Sequence, residues 1–309
     1  LRIVFLGSPD EVIAPLKVLQ SSAHEVVAVL SQPAREVGRG RVLTDPPVAR
    51  FAKEQGFTVL QPASARDPQF LSDFAALRPD VAVTAAYGQI LSEAFLSIPR
   101  RATINIHPSL LPKYRGATPV PAALLDQCSV SGVTILFTVK RLDAGPIILQ
   151  KQSKILSYET ADQLTRRLFE ESGSMLLDAL DLLADESFQG TQQDESAVTL
   201  CGKISKEDGR VDWGVSARIL ESRYRAFQPW PGLYAYIGPE RIGLRDVIAL
   251  DDASVLRSGE AIFEKSEMLI KVGTGQGTIG VKQLQKSGSK WVDAAGFWNG
   301  QKIKPVVFT

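Results

Sequence analysis

The stretch TINIHPSLLPKYRGATPVP, residues Thr103–Pro121, closes an alternating apolar run on a histidine and then turns into a loop rich in proline, glycine and arginine. His107 is one of only two histidines among 309 residues. Side chains alternate across a β-strand, so Thr103, Asn105 and His107 share one face, and Ile104 and Ile106 the other. In open α/β sheets the ligand crevice lies beyond the carboxyl ends of the strands, and Pro108 ends this strand directly after His107. Downstream, RLDAG (Arg141–Gly145) places a carboxylate, Asp143, in a turn between two apolar runs able to fold back beside TINIH. Asparagine, histidine and aspartate around one pocket suit a reaction in which a carbonyl becomes an oxyanion while an amine nucleophile loses a proton. No serine or cysteine nucleophile is needed for it. Taken singly, the same residues also fit plainer duties: a strand-end histidine bonded to its loop, and an aspartate shaping a glycine-containing turn.

Three further stretches carry charge or turn chemistry. GSPD (Gly7–Asp10) sits between a first strand and a first helix, where doubly wound proteins bind phosphate, and it equally reads as a tight turn. Neither GxGxxG nor a P-loop sequence occurs, so no nicotinamide or ATP fingerprint is present. QPAREVGRGRVLTDPP (Gln32–Pro47) sets Arg35, Arg39 and Arg41 against Glu36 and Asp45 in a long loop, a composition suited to phosphate contacts and also to a solvated loop. The last 28 residues hold Lys282, Lys286, Lys290, Lys302 and Lys304 against Asp293 alone, a local charge of +4 that fits a nucleic-acid platform or a solvated lysine face. Cys128 and Cys201 lack CxxC or Cys/His spacing, which points to neither zinc nor a disulfide framework.

The frame that must position these residues shows in the periodicity. RIVFLG (Arg2–Gly7), EVVAVLS (Glu25–Ser31), FTVLQP, DVAVTAA (Asp80–Ala86) and TINIH alternate with helix-like stretches from Asp10, near Pro47–Gln55 and near Pro68–Leu77. Near-continuous apolar strands separated by helices indicate an α/β fold with a doubly wound, mostly parallel, Rossmann-like sheet. GVTILFTVK (Gly132–Lys140) and PIILQKQSKI (Pro146–Ile155) add two strands, and a helical pattern follows from Thr160 to about Ala184. FQGTQQDESAV (Phe188–Val198) is polar and weakly periodic, the mark of a surface linker. The expected division is a catalytic domain over 1–187, a linker over 188–202 and a C-terminal domain over 203–309. In the last, a helical stretch (Val215–Arg225) precedes the short runs LYAYI, RIGLRDVIAL, EAIFEK, MLIKVG and TIGVKQLQ, which suggest a small OB-like β-barrel, although a β-sandwich leaves a similar trace.

The length suits two domains, and 44% hydrophobic with 22% charged residues is an ordinary soluble composition. No apolar run approaches the roughly 20 residues that cross a bilayer. A net charge of +1 excludes a generally polybasic chain but not a local basic patch. Residue 1 is leucine and the methionines are Met175 and Met268, so a trimmed start is expected. Removal of a targeting segment would favour a mitochondrial or plastid interior over a bacterial cytoplasm.

INIHPSLLPKYRGATPVPAAL and SGVTILFTVKRLDAGPII together resemble the folate-dependent formyltransferase family, whose catalytic pattern is Asn-x-His with a downstream Leu-Asp-x-Gly. IVFLGSPD, QPAREVGRGRVLTDPPVARFAKEQG, VTAAYGQIL and KISKEDGRVDWGVSARILESRYRAFQPWPG carry the resemblance from Arg2 to about Lys290 and are similar to the branch that acts on charged initiator tRNA. The resemblance implies 10-formyltetrahydrofolate as co-substrate without a metal, methionyl-initiator tRNA as acceptor, and a monomer with no membrane attachment. It implies Asn105, His107 and Asp143 as catalytic residues. It implies a folate pocket from Tyr87, Gly88, Gln89, Ile90, Ser109, Leu110, Leu111, Pro112, Leu142, Ala144 and Gly145. For tRNA it implies Arg39 assisted by Arg35 and Arg41, with Lys203, Lys206, Lys282, Lys286 and Lys290 in the second domain. Pro108 and Tyr114 stand where the family often has glycine and tryptophan, and LDAG replaces LDTG. The KRLDAG wording also occurs among sugar formyltransferases. A sugar-nucleotide N-formyltransferase is therefore a second expectation, and an RNA-binding protein on this scaffold without turnover a third.

Overall fold

RIVFLG carries apolar side chains on both faces, while ATINIH sets Ile104 and Ile106 on one face and the buried Thr103 and His107 on the other, and both strands lie in a sheet covered on both sides. The computed structural model, which describes residues 1–38, 40–250, 256–301 and 305–309, builds that sheet in the first of two units, formed by residues 1–119, 130–155 and 164–201. Its strands are β1 (Arg2–Gly7), β2 (Glu25–Leu30), β3 (Arg35–Val37), β4 (Val42–Thr44), β5 (Val59–Leu60), β6 (Val81–Ala85), β7 (Ala102–His107), β8 (Arg115–Gly116), β9 (Val130–Phe137), β10 (Ile147–Lys154) and β11 (Leu200–Cys201). The central sheet runs β10-β9-β7-β6-β1-β2-β5. Its pairs from β7 through β6, β1 and β2 to β5 are parallel, while β9 and β10 return antiparallel.

Its helices are α1 (Ile13–Gln20), α2 (Pro47–Glu54), α3 (Pro68–Ala76), α4 (Glu93–Leu96) and most of α6 (Ala161–Leu182), while α5 (Pro119–Leu125) falls almost wholly in the second unit. Local chemistry starts them: Asp67 accepts the Phe70 N–H and Pro68 follows at the first helical position, while Ser92 caps α4 in the same way. α3 and α4 bury Phe74 and Phe95, stacked at 4.4 Å, against Val4, Leu6, Ala28, Leu30 and Ala82 of the sheet. Truncating such a ring to alanine costs about 3–5 kcal/mol. The expected strand over Gly132–Lys140 stops at Phe137, whose N–H bonds the Pro146 carbonyl. Thr138 still donates its N–H to the Thr103 carbonyl of β7, and residues 139–146 then turn away, with Asp143 at φ 48° inside the turn.

The second unit takes residues 120–129, 156–163 and 202–309. It contains α7 (Ala217–Ala226), β12 (Leu233–Ile237), β13 (Glu240–Leu250), β14 (Glu260–Glu264), β15 (Leu269–Gly273), β16 (Thr278–Lys286), β17 (Val292–Asp293), α8 (Ala294–Asn299) and β18 (Val306–Val307). The antiparallel order is β12-β13-β16-β15-β14-β18. Beyond β18, Thr309 exchanges both backbone hydrogen bonds with Tyr236 of β12, at 2.7 and 2.8 Å. First and last strands thereby meet, which makes the unit a closed barrel rather than a sandwich and leaves no long open edge. Ile242, Leu244, Ile270, Val272, Ile279, Val281 and Phe308 fill its core. Among the described residues no helix is long and apolar enough to cross a membrane.

Candidate active site

β7 lies between β6 and β9, which sets Thr84 beside Asn105 and Thr134 beside His107. The Thr84 hydroxyl donates to Asn105 Oδ1 at 2.7 Å, so the carbonyl end of that amide is spent. Among the described residues its NH2 end has no protein acceptor and remains free to donate. His107 is 4% exposed, and its Nε2–H donates to the Tyr114 carbonyl at 2.9 Å. Its Nδ1 faces Asp143 Oδ2 at 3.8 Å, an ion-pair separation rather than a hydrogen bond. The same Asp143 oxygen accepts the Gly116 N–H at 2.9 Å. A carbonyl on one side and a carboxylate on the other suit an imidazolium, which carries a proton on both nitrogens. Asp143 and Tyr114 sit in the left-handed region at φ 48° and 61°, each costing roughly 1 kcal/mol or more that surrounding bonds must offset.

The loop after His107 is held by polar groups that sequence reasoning did not single out. The Thr134 hydroxyl donates to the Ser109 carbonyl at 2.6 Å and accepts from the Leu111 N–H and from Gln150 Nε2, which also donates to the Leu111 carbonyl. Ser109, fully buried, donates its hydroxyl to the Lys113 carbonyl. Leu110 lies so near Gly132 that a β-carbon there would stand 2.6 Å from its Cδ2. Thr84 and Thr134 had one legible signal. Most buried hydroxyls find a hydrogen-bond partner, although among the described residues Thr103 of β7 has none.

The remaining residues expected at a folate pocket divide. Tyr87 packs its ring in the core beside Val4 and Phe95, and burial pushes its hydroxyl up to about 12. Gln89 spends its amide on the Ala65 N–H and the Pro62 carbonyl. From that segment the backbone of Gly88, at φ 84°, and the exposed Ile90 remain available. Leu111 is buried and Leu142 is 64% exposed. Pro112 follows Leu111 through a cis peptide, and Ala144 and Gly145 complete the Asp143 turn, where a β-carbon on Gly145 would collide with the Phe137 carbonyl.

Residues 190–201, expected as part of a surface linker, are mostly exposed and lie along the site. Thr191 pairs with Ile147, Gln193 and Glu195 bond the Asp143 turn and Arg115, and β11 pairs with β8. The reason is capacity: unpaired backbone groups at Tyr114–Gly116 need partners, and Thr199 and Cys201 supply them. Burial, with the Asp143 charge adding to it, pushes the Cys201 thiol up, which suits a structural cysteine rather than a nucleophile.

Of the residues expected to meet tRNA, Arg39 lies outside the described residues, as do Lys302 and Lys304 of the basic C-terminal stretch. Arg35 and Arg41 belong to the β3–β4 hairpin, an ordered ribbon where a loop was expected, with Arg35 bonded to Gln32 and Arg41 to Glu36. Val37, Val42 and Leu43 are exposed on it. In the second unit Lys203, Lys206, Lys282 and Lys290 are exposed, and Lys286 pairs with Glu240 at 3.0 Å. Two cations escaped notice in the sequence. Arg241 and Arg245 lie over the rings of Tyr234 and Trp291, at 3.8 and 4.1 Å, and both line a cavity of about 310 Å³ that contains no acidic side chain among its lining residues.

A doubly wound sheet with asparagine, histidine and aspartate gathered beyond its central strands, in a chain that continues into a closed antiparallel barrel, defines a formyl-group transferase. The chain belongs to the formyl transferase family: residues 1–180 match the formyl transferase domain, and residues 203–302 the formyl transferase C-terminal domain. It is 37% identical over 302 residues to the methionyl-tRNA formyltransferase of Marinobacter nauticus, covering 98% of this chain and 97% of that one. To the methionyl-tRNA formyltransferase of Chloroflexus aurantiacus it is 40% identical over 300 residues, 94% of this chain and 96% of that one. Its fold matches the crystal structure of WlaRD, a sugar 3N-formyl transferase in the presence of dTDP and 5-N-formyl-THF, with a TM-score of 0.66, 18% identity, and coverage of 94% and 99%.

Proposed function

We propose that the protein transfers the formyl group of 10-formyltetrahydrofolate to the α-amino group of methionyl-initiator tRNA. The observation that carries this reading is the grouping of Asn105, His107 and Asp143 at the end of β7, in a chain whose relatives over nearly its whole length are named for that reaction. An α-amine has a pKa of about 7.7–8.0, so a useful fraction is neutral near pH 7 and positioning is the enzyme's main task. The amine nitrogen forms a bond to the formyl carbon, and the bond from that carbon to N10 of the folate then breaks. Asn105 donates its free NH2 to the formyl oxygen, and the His107 imidazolium stabilises the charge that collects there. Asp143 balances that cation and, through water, moves the proton from the attacking amine to the departing N10.

The folate lies along 87–90, the 109–112 loop and the 142–145 turn. The arginines of the 32–47 segment and the exposed lysines of the barrel meet the tRNA, with Arg241 and Arg245 as added phosphate contacts. The acting species is a monomer. The test is incubation with 10-formyltetrahydrofolate and either charged initiator tRNA or a UDP-amino sugar, followed by detection of formylated product. Product with tRNA alone is expected. Product with the sugar alone would make the chain a sugar-nucleotide N-formyltransferase, and tight tRNA binding without product would make it an RNA-binding protein on this scaffold.

A further inference from the structure

The run from Thr191 to Cys201 is moored at both ends. Thr191 exchanges backbone hydrogen bonds with Ile147 at 2.7 and 2.8 Å, and Leu200 and Cys201 pair with Arg115 and Gly116. Between the moorings lies the Asp143 turn, and the backbone of that turn is held there by one side chain among the described residues. Gln193 Nε2 donates to the carbonyls of Asp143 and Gly145, at 2.8 and 2.7 Å. Its Oε1 accepts from Arg115 Nε and Nη2, at 3.1 and 2.8 Å. Both hydrogens and the oxygen of the amide are thus used, and the amide has one orientation, because its NH2 end faces two acceptors and its oxygen faces a cation. Arg115 is 3% exposed and its charge is met by Glu195 at 2.9 Å, which also contacts Arg141 of the Asp143 turn. The Arg115 hydrogen bond holds the Glu195 carboxyl below the usual range.

We propose that Gln193 is a positioning residue for formyl transfer, fixing the backbone of the Asp143 turn so that the carboxylate faces His107 and the Gly116 N–H. The proposal rests on the reading of Asp143 as the proton carrier. A residue at φ 48° returns to commoner backbone angles when its restraints are removed, and a catalytic group displaced by about 1 Å loses on the order of 100-fold in rate. Neither Gln193 nor Arg115 acts on the substrate directly. Their effect passes through the turn.

Two variants of the full chain separate positioning from bulk stability. Gln193→Glu keeps an acceptor for Arg115 but turns a second carboxylate oxygen toward two carbonyls, and Gln193→Met keeps the volume while removing every hydrogen bond. In both, kcat with charged initiator tRNA should fall about 10–100-fold while KM for each substrate stays within about threefold, the pattern of a group that matters only in the transition state. In a Gln193→Met, Asp143→Ala double variant the Gln193 change should add less than about twofold, since what it positions is gone. Amide exchange of Gly116, read by NMR on the protein alone, should quicken at least about tenfold in both variants. Turnover within about twofold of the parent, additive losses in the double variant, or unchanged Gly116 exchange overturns the proposal. A parent chain that formylates no acceptor would instead refute the functional reading, and the exchange measurement, which needs no substrate, would still decide the role of Gln193.

Discussion

Residues 32–45 and 190–201 look alike as sequence, both polar, glycine-bearing and without apolar period, yet they fold in opposite ways. The first closes on itself as the β3–β4 hairpin and, among the described residues, is tied only at its base. There Asp45 bonds Lys53 at 2.6 Å and Gln61 at 3.0 Å, and the Gln61 amide also donates to the Gln32 carbonyl. Farther out, Val37, Val42 and Leu43 are exposed, and among the described residues Arg41 is held by Glu36 alone. The second bonds the catalytic turn through Gln193 and Glu195, and residues 114–117 through Thr199 and Cys201. A segment that fixes reacting groups spends its polar capacity inside the protein, whereas one that meets a large partner keeps that capacity for the partner.

The largest expected effect tests whether the rigid region is the catalytic one. Asn105→Ala, His107→Ala and Asp143→Ala should each lower turnover by roughly 10²–10⁴-fold in steady-state kinetics, the usual scale for losing an oxyanion donor or proton carrier. Near-parent turnover of the His107 variant would sink the mechanism. A pair of glycine substitutions then compares the two segments directly. At Gly116, φ is 126° and a β-carbon would stand 2.1 Å from the Cys201 carbonyl oxygen, so Gly116→Ala must push β11 off β8. The expected loss is roughly 2–4 kcal/mol in urea unfolding, from backbone strain plus overpacking. At Gly40 the nearest such atom is Val42 Cγ2 at 3.7 Å, and Gly40→Ala should stay within about 0.5 kcal/mol of the parent. Equal urea midpoints for the two variants would erase the distinction.

The hairpin side of the comparison is sharpened by Arg39→Ala, combined with Arg35→Gln and Arg41→Gln. Binding of charged tRNA should weaken and its salt dependence should flatten by about 0.7–0.9 for each phosphate that is no longer neutralised, while folate affinity holds. An unchanged salt slope would remove the arginines from the RNA interface, and a parallel loss of folate affinity would reject the division of labour between the two segments.

What could be read from sequence follows the range of the interaction. The alternating strands and helices were legible because each is written in its own 4–20 residues, and so was the shared face of Asn105 and His107, which needs only the period of a strand. The closed barrel was legible to the point of a choice, since closure depends on Thr309 meeting Tyr236 across the whole second unit. The docking of 190–201 was not legible. Gln193 and Asp143 are 50 residues apart, and a glutamine that pins a catalytic turn has the same polarity as one facing water. Arg115 was hidden for a like reason: in PKYRG it reads as a loop cation, yet it is buried against Glu195. Tyr87 shows the converse, a residue that resemblance put in the ligand pocket and that packing put in the core.

The smallest effect concerns charge, and it also separates the two segments. Glu195 and Asp45 are both held below the usual carboxylate range, by hydrogen bonds from Arg115 and from Lys53 respectively. A carboxyl whose folded value is depressed binds fewer protons folded than unfolded. Its stabilising contribution is therefore complete above the unfolded value, near 4–4.5, and drains away as pH falls through the lower folded value. Glu195 is exposed and Asp45 partly so, and the changes in urea midpoint should be slight. For Glu195→Gln the midpoint should lie just below the parent's at about pH 6, and the gap should close as pH falls below about 4. Asp45→Asn should show the same closing gap. The two variants differ in what they release. Loss of the Glu195 charge loosens Arg115 and with it the Gln193 amide, so Gly116 exchange should quicken at about pH 6 in Glu195→Gln and stay at the parent rate in Asp45→Asn. Equal Gly116 exchange in the two variants would mean that Glu195, like Asp45, steadies only its own segment, and that the hold on the catalytic turn comes from Gln193 without the charge behind it.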